Sequence, residues 1–66
     1  MITVQEFMNC YAAAKSGLPI CRKTRHRGYI EDYYDHEEVD FLNLEMSEVL
    51  KPDTEDESHE YYVKNW

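Results

Sequence analysis

The stretch TVQEFMNCYAAAKSG, residues 3–17, decides the fold because its pattern identifies one type of secondary structure from end to end. Thr3 and Glu6 have the spacing of a capping box, in which the two side chains satisfy backbone amides of the first helical turn. Gly17 and Pro19 then end the helix. Apolar side chains recur between them at helical spacing: Val4, Phe7, Met8, Tyr11 and Ala14. We predict an amphipathic helix over about 4–16 that covers a β-sheet.

The next segment has the pattern of a β-hairpin. Residues 20–26 and 29–34 would form its strands, and Arg27 with Gly28 would form a two-residue loop. Glycine suits the second place of such a loop, where φ is positive. This register would set three pairs opposite one another across the hairpin: Lys23 with Asp32, Thr24 with Glu31, and Cys21 with Tyr34.

The remainder of the chain predicts more β-structure. Residues 35–40 are expected to be a connection or one helical turn. Residues 42–49 are expected to be a strand, although the apolar spacing there also fits a helix. Residues 52–58 form a polar loop, and 59–66 form a closing strand with Tyr61 and Val63 on one face and Tyr62 and Lys64 on the other. The predicted fold is α+β, a single domain over 1–66 with one N-terminal helix packed on a three- to four-stranded antiparallel sheet.

Length and composition narrow the class of protein. A chain of 66 residues buries only about 60% of the surface of its unfolded form, so its core is small. Two cysteines are too few for a secreted disulfide framework. The first residues lack the pattern of a signal peptide, and no apolar run approaches the ~20 residues of a membrane span. We expect a cytoplasmic protein with reduced thiols.

Charge is divided unevenly along the chain. Residues 1–27 carry five Lys and Arg against Glu6, a net +4, whereas residues 28–66 carry two lysines against thirteen acids, a net −11. The sum is −7. Such a chain is repelled by nucleic acid and by anionic membranes, so its expected partner is a basic protein surface. The basic run over 22–27 is expected to be neutralised by acids across the hairpin.

Tyrosines are interleaved with the acids in the same part of the chain. Because tyrosines supply interface anchors and acids steer the approach of a basic partner, this pattern indicates a binding surface. The candidate partner-binding residues are Tyr29, Glu31, Asp32, Tyr33, Tyr34, Asp35, Glu37, Glu38, Tyr61 and Tyr62. Trp66 is interpreted as closing either the core or a dimer interface.

Two other kinds of site are weaker hypotheses. Cys10, Cys21, His26 and His36 could contribute ligands to a zinc ion that staples a small regulatory domain, but none of them shows the spacing of a standard zinc site. Cys21 also follows the pattern of a reactive thiol, because Arg22 and Lys23 are adjacent to it. A core of this size can hardly enclose the cleft that catalysis needs, so we expect no enzymatic activity and no required cofactor.

In its size, its acidity and the mixing of tyrosines with carboxylates, the whole chain resembles the small inhibitor proteins of phages and mobile elements, of the anti-CRISPR and DNA-mimic kind. The resemblance is one of kind and assigns no role to any single residue. It implies a protein that occludes a basic, nucleic-acid-binding surface of a host defence enzyme, such as an RNA-guided nuclease.

Overall fold

The computed structural model describes residues 1–64, so the expected role of Trp66 lies outside the described residues. Helix α1 (Val4–Lys15) is followed by strands β1 (Ile20–His26) and β2 (Tyr33–Val39). A 3₁₀ turn (Phe41–Asn43), a short helix α2 (Met46–Val49) and strand β3 (Glu57–Val63) complete the described chain. The strands form one antiparallel sheet in the order β2-β1-β3 with the helix packed on it, which confirms the predicted α+β class.

Helix α1 has the limits that its sequence predicts. The Thr3 hydroxyl accepts a hydrogen bond from the Glu6 amide at 3.1 Å. At the other end, Gly17 adopts a φ of 85°, a left-handed conformation that glycine takes without steric cost. The amides of Gly17 and Leu18 donate to the Ala14 and Ala13 carbonyls, which is the hydrogen-bond pattern of a Schellman motif.

The hairpin between β1 and β2 is present, but its predicted register was wrong. Thr24 lies opposite Asp35 instead of Glu31, and the connection is the six-residue loop 27–32. The observed register moves the partner of each β1 residue four positions along the chain, so each side chain keeps its face. It also sets Val39 opposite Ile20, which places two apolar residues side by side at the core. Arg27 could not favour the shorter loop, because it tolerates a positive φ poorly.

Two predictions for the middle of the chain were also wrong. Residues 35–40 form most of β2 instead of a connection, and 42–49 form the 3₁₀ turn and α2 instead of a strand. This segment must cross β1, because β2 and β3 lie on opposite sides of it. Phe41 and Val49 are the side chains that the crossing buries. Strand β3 overlaps the predicted closing strand and begins two residues earlier.

The core lies at one end of the sheet, where α1 and the 3₁₀ turn pack on one face of it. We call this face the helix-covered face. Its buried members are Ile2, Cys10, Ile20, Phe41, Val49 and Tyr61. The Phe41 ring lies 5.5 Å from the Phe7 ring and 5.6 Å from the Tyr61 ring, measured between centroids. Within the described chain, no helix covers the opposite face of the sheet, which carries Lys23 and Arg25. We call this face the open face.

The hydroxyl of Tyr61 is buried and poorly satisfied. The residue is 5% exposed, and its hydroxyl makes no hydrogen bond of good geometry within residues 1–64, although it lies near enough to Arg22 to help raise the pKa of that guanidinium. Because an unpaired buried hydroxyl is destabilising, we expect Tyr61→Phe to raise the free energy of unfolding by about 1 kcal/mol in urea denaturation. Tyr34→Phe, on the open face, is the matched control and should change it by less than about 0.5 kcal/mol. A loss of stability in Tyr61→Phe would show that the hydroxyl is paired.

Candidate partner-binding surface

The loop 27–32 places two large apolar side chains in solvent. Tyr29 is 105% exposed and Ile30 is 93% exposed, relative to an extended chain. Gly28 turns the chain so tightly that a Cβ atom there would lie 1.8 Å from the Glu31 carbonyl oxygen. An exposed aromatic and an exposed aliphatic side chain at a loop tip are typical anchors for a protein partner. We call Tyr29 and Ile30 the tip.

Strand β2 continues from the tip along one edge of the sheet. Residues 33–38 are all exposed, and Val39 is half-buried. Their side chains alternate between the two faces of the sheet. The register places Tyr33, Asp35 and Glu37 on the helix-covered face, and Tyr34, His36 and Glu38 on the open face. The tip and the β2 edge therefore form one continuous surface of tyrosines and acids.

Basic residues of β1 hold the acids of this surface in place. Arg22 Nε donates to Glu37 Oε1 at 3.0 Å, and His26 Nε2 lies 2.8 Å from Asp35 Oδ2. Arg25 lies 3.8 Å from Asp32. The Glu37 hydrogen bond raises the pKa of Arg22 against the opposing effect of burial. Neutralisation of the basic run across the hairpin was predicted from the sequence, and the pairs of Arg22 and Arg25 confirm it in part. Lys23 and Arg27 form no ion pair within residues 1–64.

A second acidic loop lies beside the tip. The Arg27 amide donates to the Asp56 carbonyl at 2.8 Å, which holds residues 55–56 against the loop 27–32. Glu31, Glu55 and Asp56 make no ion pair within residues 1–64. Folding thus brings uncompensated acids from distant parts of the sequence to the same end of the sheet.

Two of the predicted partner-binding residues lie elsewhere. Tyr61 is a core residue, and its burial removes its ring from any surface. Tyr62 lies on the open face of β3, where its hydroxyl is 2.9 Å from His36 Nδ1. Partial burial and the neighbouring Cys21 thiol raise the pKa of Tyr62. All the other predicted residues lie on the loop 27–32 or on β2.

The structure also contains a polar hollow that the sequence analysis missed. It has a volume of about 520 Å³ and lies on the helix-covered face, beyond the end of the core. His59 joins two groups there: its Nδ1 lies 3.2 Å from the Thr24 hydroxyl, and its Nε2 lies 3.0 Å from Glu57. The β1–β3 register creates this cluster, and no local motif marks it.

The cluster orders a hydroxyl, an imidazole and a carboxylate as a nucleophilic site would. However, Thr24 is only 9% exposed, so a substrate could hardly reach its oxygen. His26 also lies 3.6 Å from Glu57 and thereby connects β1 with both outer strands. These contacts are typical of a structural cluster, in which polar interactions join the three strands at the end of the sheet away from the core.

The candidate zinc ligands are distributed over different parts of the fold. Cys10 lies in α1, whereas Cys21 and His36 lie on the open face and His26 lies on the helix-covered face. No group of three or more His, Cys, Asp and Glu side chains in residues 1–64 is arranged to hold a metal ion. The structure therefore supplies no observation that favours the zinc-stapled alternative.

Both cysteines are buried thiols, and neither forms a disulfide. Burial, followed by the charge of Glu6, raises the pKa of Cys10. We expect Cys10 and Cys21 to react with Ellman's reagent at least about a hundredfold more slowly in the native protein than in urea, because both side chains are buried and labelling requires local opening of the structure around each of them. An added thiol at the exposed helix end, in Ser16→Cys, gives the unprotected rate. Rapid native labelling of Cys21 would instead support the reactive-thiol hypothesis.

Comparison with known proteins identifies no relative of this chain. No protein-family model, no curated protein and no solved structure matches this chain. Within residues 1–64, no helix is long and apolar enough to cross a membrane.

Proposed function

We propose that this protein is a non-enzymatic acidic binding protein that occludes a basic, nucleic-acid-binding surface of a partner protein. The observation that carries the proposal is the solvent-exposed tip, Tyr29 and Ile30, surrounded by acids of β2 and of the loop 55–56. The proposed partner class is an RNA-guided nuclease, as for inhibitors of the anti-CRISPR kind, and the proposed location is the cytoplasm. Nucleic acid and membranes are not proposed as direct ligands.

The two parts of the surface have different roles in this proposal. A net charge of −7 attracts a basic partner over a distance and raises the rate of association, especially at low salt. The tip then supplies the apolar contact area that holds the complex once it has formed, because rigid aromatic and aliphatic anchors dominate binding energy. A complex held by acids alone would dissociate readily when the salt concentration is raised.

The spacing of the acids explains why the tip is needed. Asp35 and Glu37 lie on one face of β2, so their carboxylates repeat at about 7 Å along the strand. Duplex DNA carries one charge per ~1.7 Å of its axis. The surface is therefore much less densely charged than the nucleic acid that it would displace, and it must gain affinity from apolar contacts as well.

The proposal is tested with a panel of purified RNA-guided nucleases, by measuring affinity and inhibition of target cleavage. We expect binding to at least one of them, with an affinity that falls at least about tenfold between 50 and 500 mM NaCl. Replacement of Asp32, Asp35, Glu37 and Glu38 by Asn or Gln should abolish measurable inhibition. The same number of charges is removed in the control variant, which replaces Glu6, Glu45, Glu48 and Glu60 by Gln.

Thermal melting of both variants separates binding from folding, because the first variant also removes the partners of Arg22, Arg25 and His26. Equal loss of inhibition in the two variants would show that only net charge matters and would contradict the proposed surface. Binding that is insensitive to salt for every basic partner would contradict the proposal as a whole.

A further inference from the structure

We propose that the β2 edge binds an extended basic segment of the partner by strand addition, as a fourth strand of the sheet. This inference rests on the proposed function and specifies how the partner is held. Within residues 1–64, strand β2 pairs with β1 on one side and with no strand on the other, because it is the outer strand in the order β2-β1-β3. Every second residue of an outer antiparallel strand directs its backbone N–H and C=O away from the sheet.

The β2 edge lacks most of the devices that normally block such pairing. Its seven residues, Tyr33–Val39, contain no proline and no glycine, and their register with β1 continues without a bulge. The main contacts of helix α1 are with β3, the 3₁₀ turn and β1. Proteins usually protect an edge of this kind with proline, bulges, a covering element or charge. Negative charge is the protection that β2 has. Because the strand is negative, it favours pairing with a positively charged segment over other segments.

The charges of β2 disfavour a second copy of the chain as that occupant. The strand carries Asp35, Glu37 and Glu38 and no Lys or Arg. A two-fold antiparallel pairing centred on His36 would set Asp35 of each copy against Glu37 of the other. Like charges directly opposite one another destabilise a strand pair, whereas opposite charges stabilise it. A segment with Lys or Arg at alternate positions would complement Asp35 and Glu37 on one face.

The tip lies at the start of the same strand, so a segment that runs along β2 can reach it. Tyr33 begins the strand, and Ile30 and Tyr29 precede it within one short loop. Backbone hydrogen bonds along the edge would provide affinity, cross-strand acids would select basic side chains, and the tip would contact whatever follows the strand. Recognition of this type is known as β-augmentation.

Two synthetic peptides test the inference on the full chain. The first is Lys-Val-Lys-Val-Lys-Val; the second has the same sequence with all of its backbone amides methylated, so it keeps the charge but has no N–H group to donate to a strand ladder on either edge. We expect the first peptide to bind at 50 mM NaCl and to protect every second amide of β2 from hydrogen exchange. We expect the methylated peptide to bind at least about tenfold more weakly, because several backbone hydrogen bonds are lost.

The outcomes separate this inference from the function on which it rests. Equal binding of the two peptides, or unchanged exchange of the β2 amides in the bound state, would overturn strand addition and leave an acidic docking surface. Failure of both peptides to bind, together with failure to bind any basic nuclease, would overturn both proposals. Dimerisation of the free protein through β2, seen as a doubled mass and protected β2 amides, would overturn the choice of a basic segment.

Discussion

Replacing Phe41 by alanine should lower the free energy of unfolding by about 3–5 kcal/mol, a large share of the total stability. Phe41 is 5% exposed, and its ring lies between the rings of Phe7 and Tyr61, so it joins α1 to β3. Truncation of a buried phenylalanine costs about 3–5 kcal/mol. A chain of 66 residues has a total stability of about 3–10 kcal/mol at typical values per residue. Far-UV circular dichroism with urea denaturation measures the loss.

Leu42 provides the matched control for Phe41. It occupies the next position of the same 3₁₀ turn, but it is 46% exposed. We expect Leu42→Ala to change the free energy of unfolding by no more than about 0.5 kcal/mol. If Phe41→Ala kept a cooperative transition within about 1 kcal/mol of the parent protein, the core described for this end of the sheet would be wrong.

Replacing Gly28 by alanine should displace the tip. The new Cβ would lie 1.8 Å from the Glu31 carbonyl oxygen and 3.0 Å from its carbon, and both are backbone atoms that cannot rotate away. The loop 27–32 must therefore change its path, at a cost of about 1–3 kcal/mol. We expect amide chemical-shift changes concentrated over residues 27–33, and loss of any binding that depends on Tyr29 and Ile30.

Gly17→Ala is the control for this substitution. A Cβ at Gly17 meets no atom within 4 Å, but the φ of 85° strains any side chain by about 1–2 kcal/mol. The two variants should therefore lose similar amounts of stability at opposite ends of the molecule. If Gly17→Ala impaired binding as much as Gly28→Ala, the effect would reflect general destabilisation and the tip would not be the anchor.

The sequence predicted best those elements whose determinants are local. The signals for α1 all lie between Thr3 and Pro19, so the helix could be identified without knowledge of its neighbours. The register of β1 with β2 depends on which apolar residues meet at the core, and Val39 pairs with Ile20 across eighteen intervening positions. No two-residue turn motif can report such a contact. Residues 42–49 were wrongly predicted to be a strand for a related reason. Which of their side chains become buried depends on the part of the sheet that the segment crosses.

The candidate surface was predictable only in part. The tyrosines of the loop and of β2 were identified from their position among acids, and the structure places them together. Tyr61 and Tyr62 were assigned to opposite faces of one strand, but composition could not show which of them turns inward. Pairing with β1 decides this, because it sets Tyr61 opposite Arg22 on the helix-covered face. The same pairing brings Thr24 to Glu57 and His59, and the distance of Thr24 from these two in the chain is too great to suggest a cluster.

The strand order has a consequence for how the chain avoids misfolding. The central strand β1 holds Arg22, Lys23 and Arg25, whereas the outer strands hold acids: Asp35, Glu37 and Glu38 in β2, and Glu57 and Glu60 in β3. A simple meander would place β2 between β1 and β3, and its acids would then face those of β3. Electrostatic repulsion therefore penalises the meander and leaves the basic strand as the only good neighbour for both acidic ones. Concentrated salt, by screening that repulsion, should make the competing topology easier to populate.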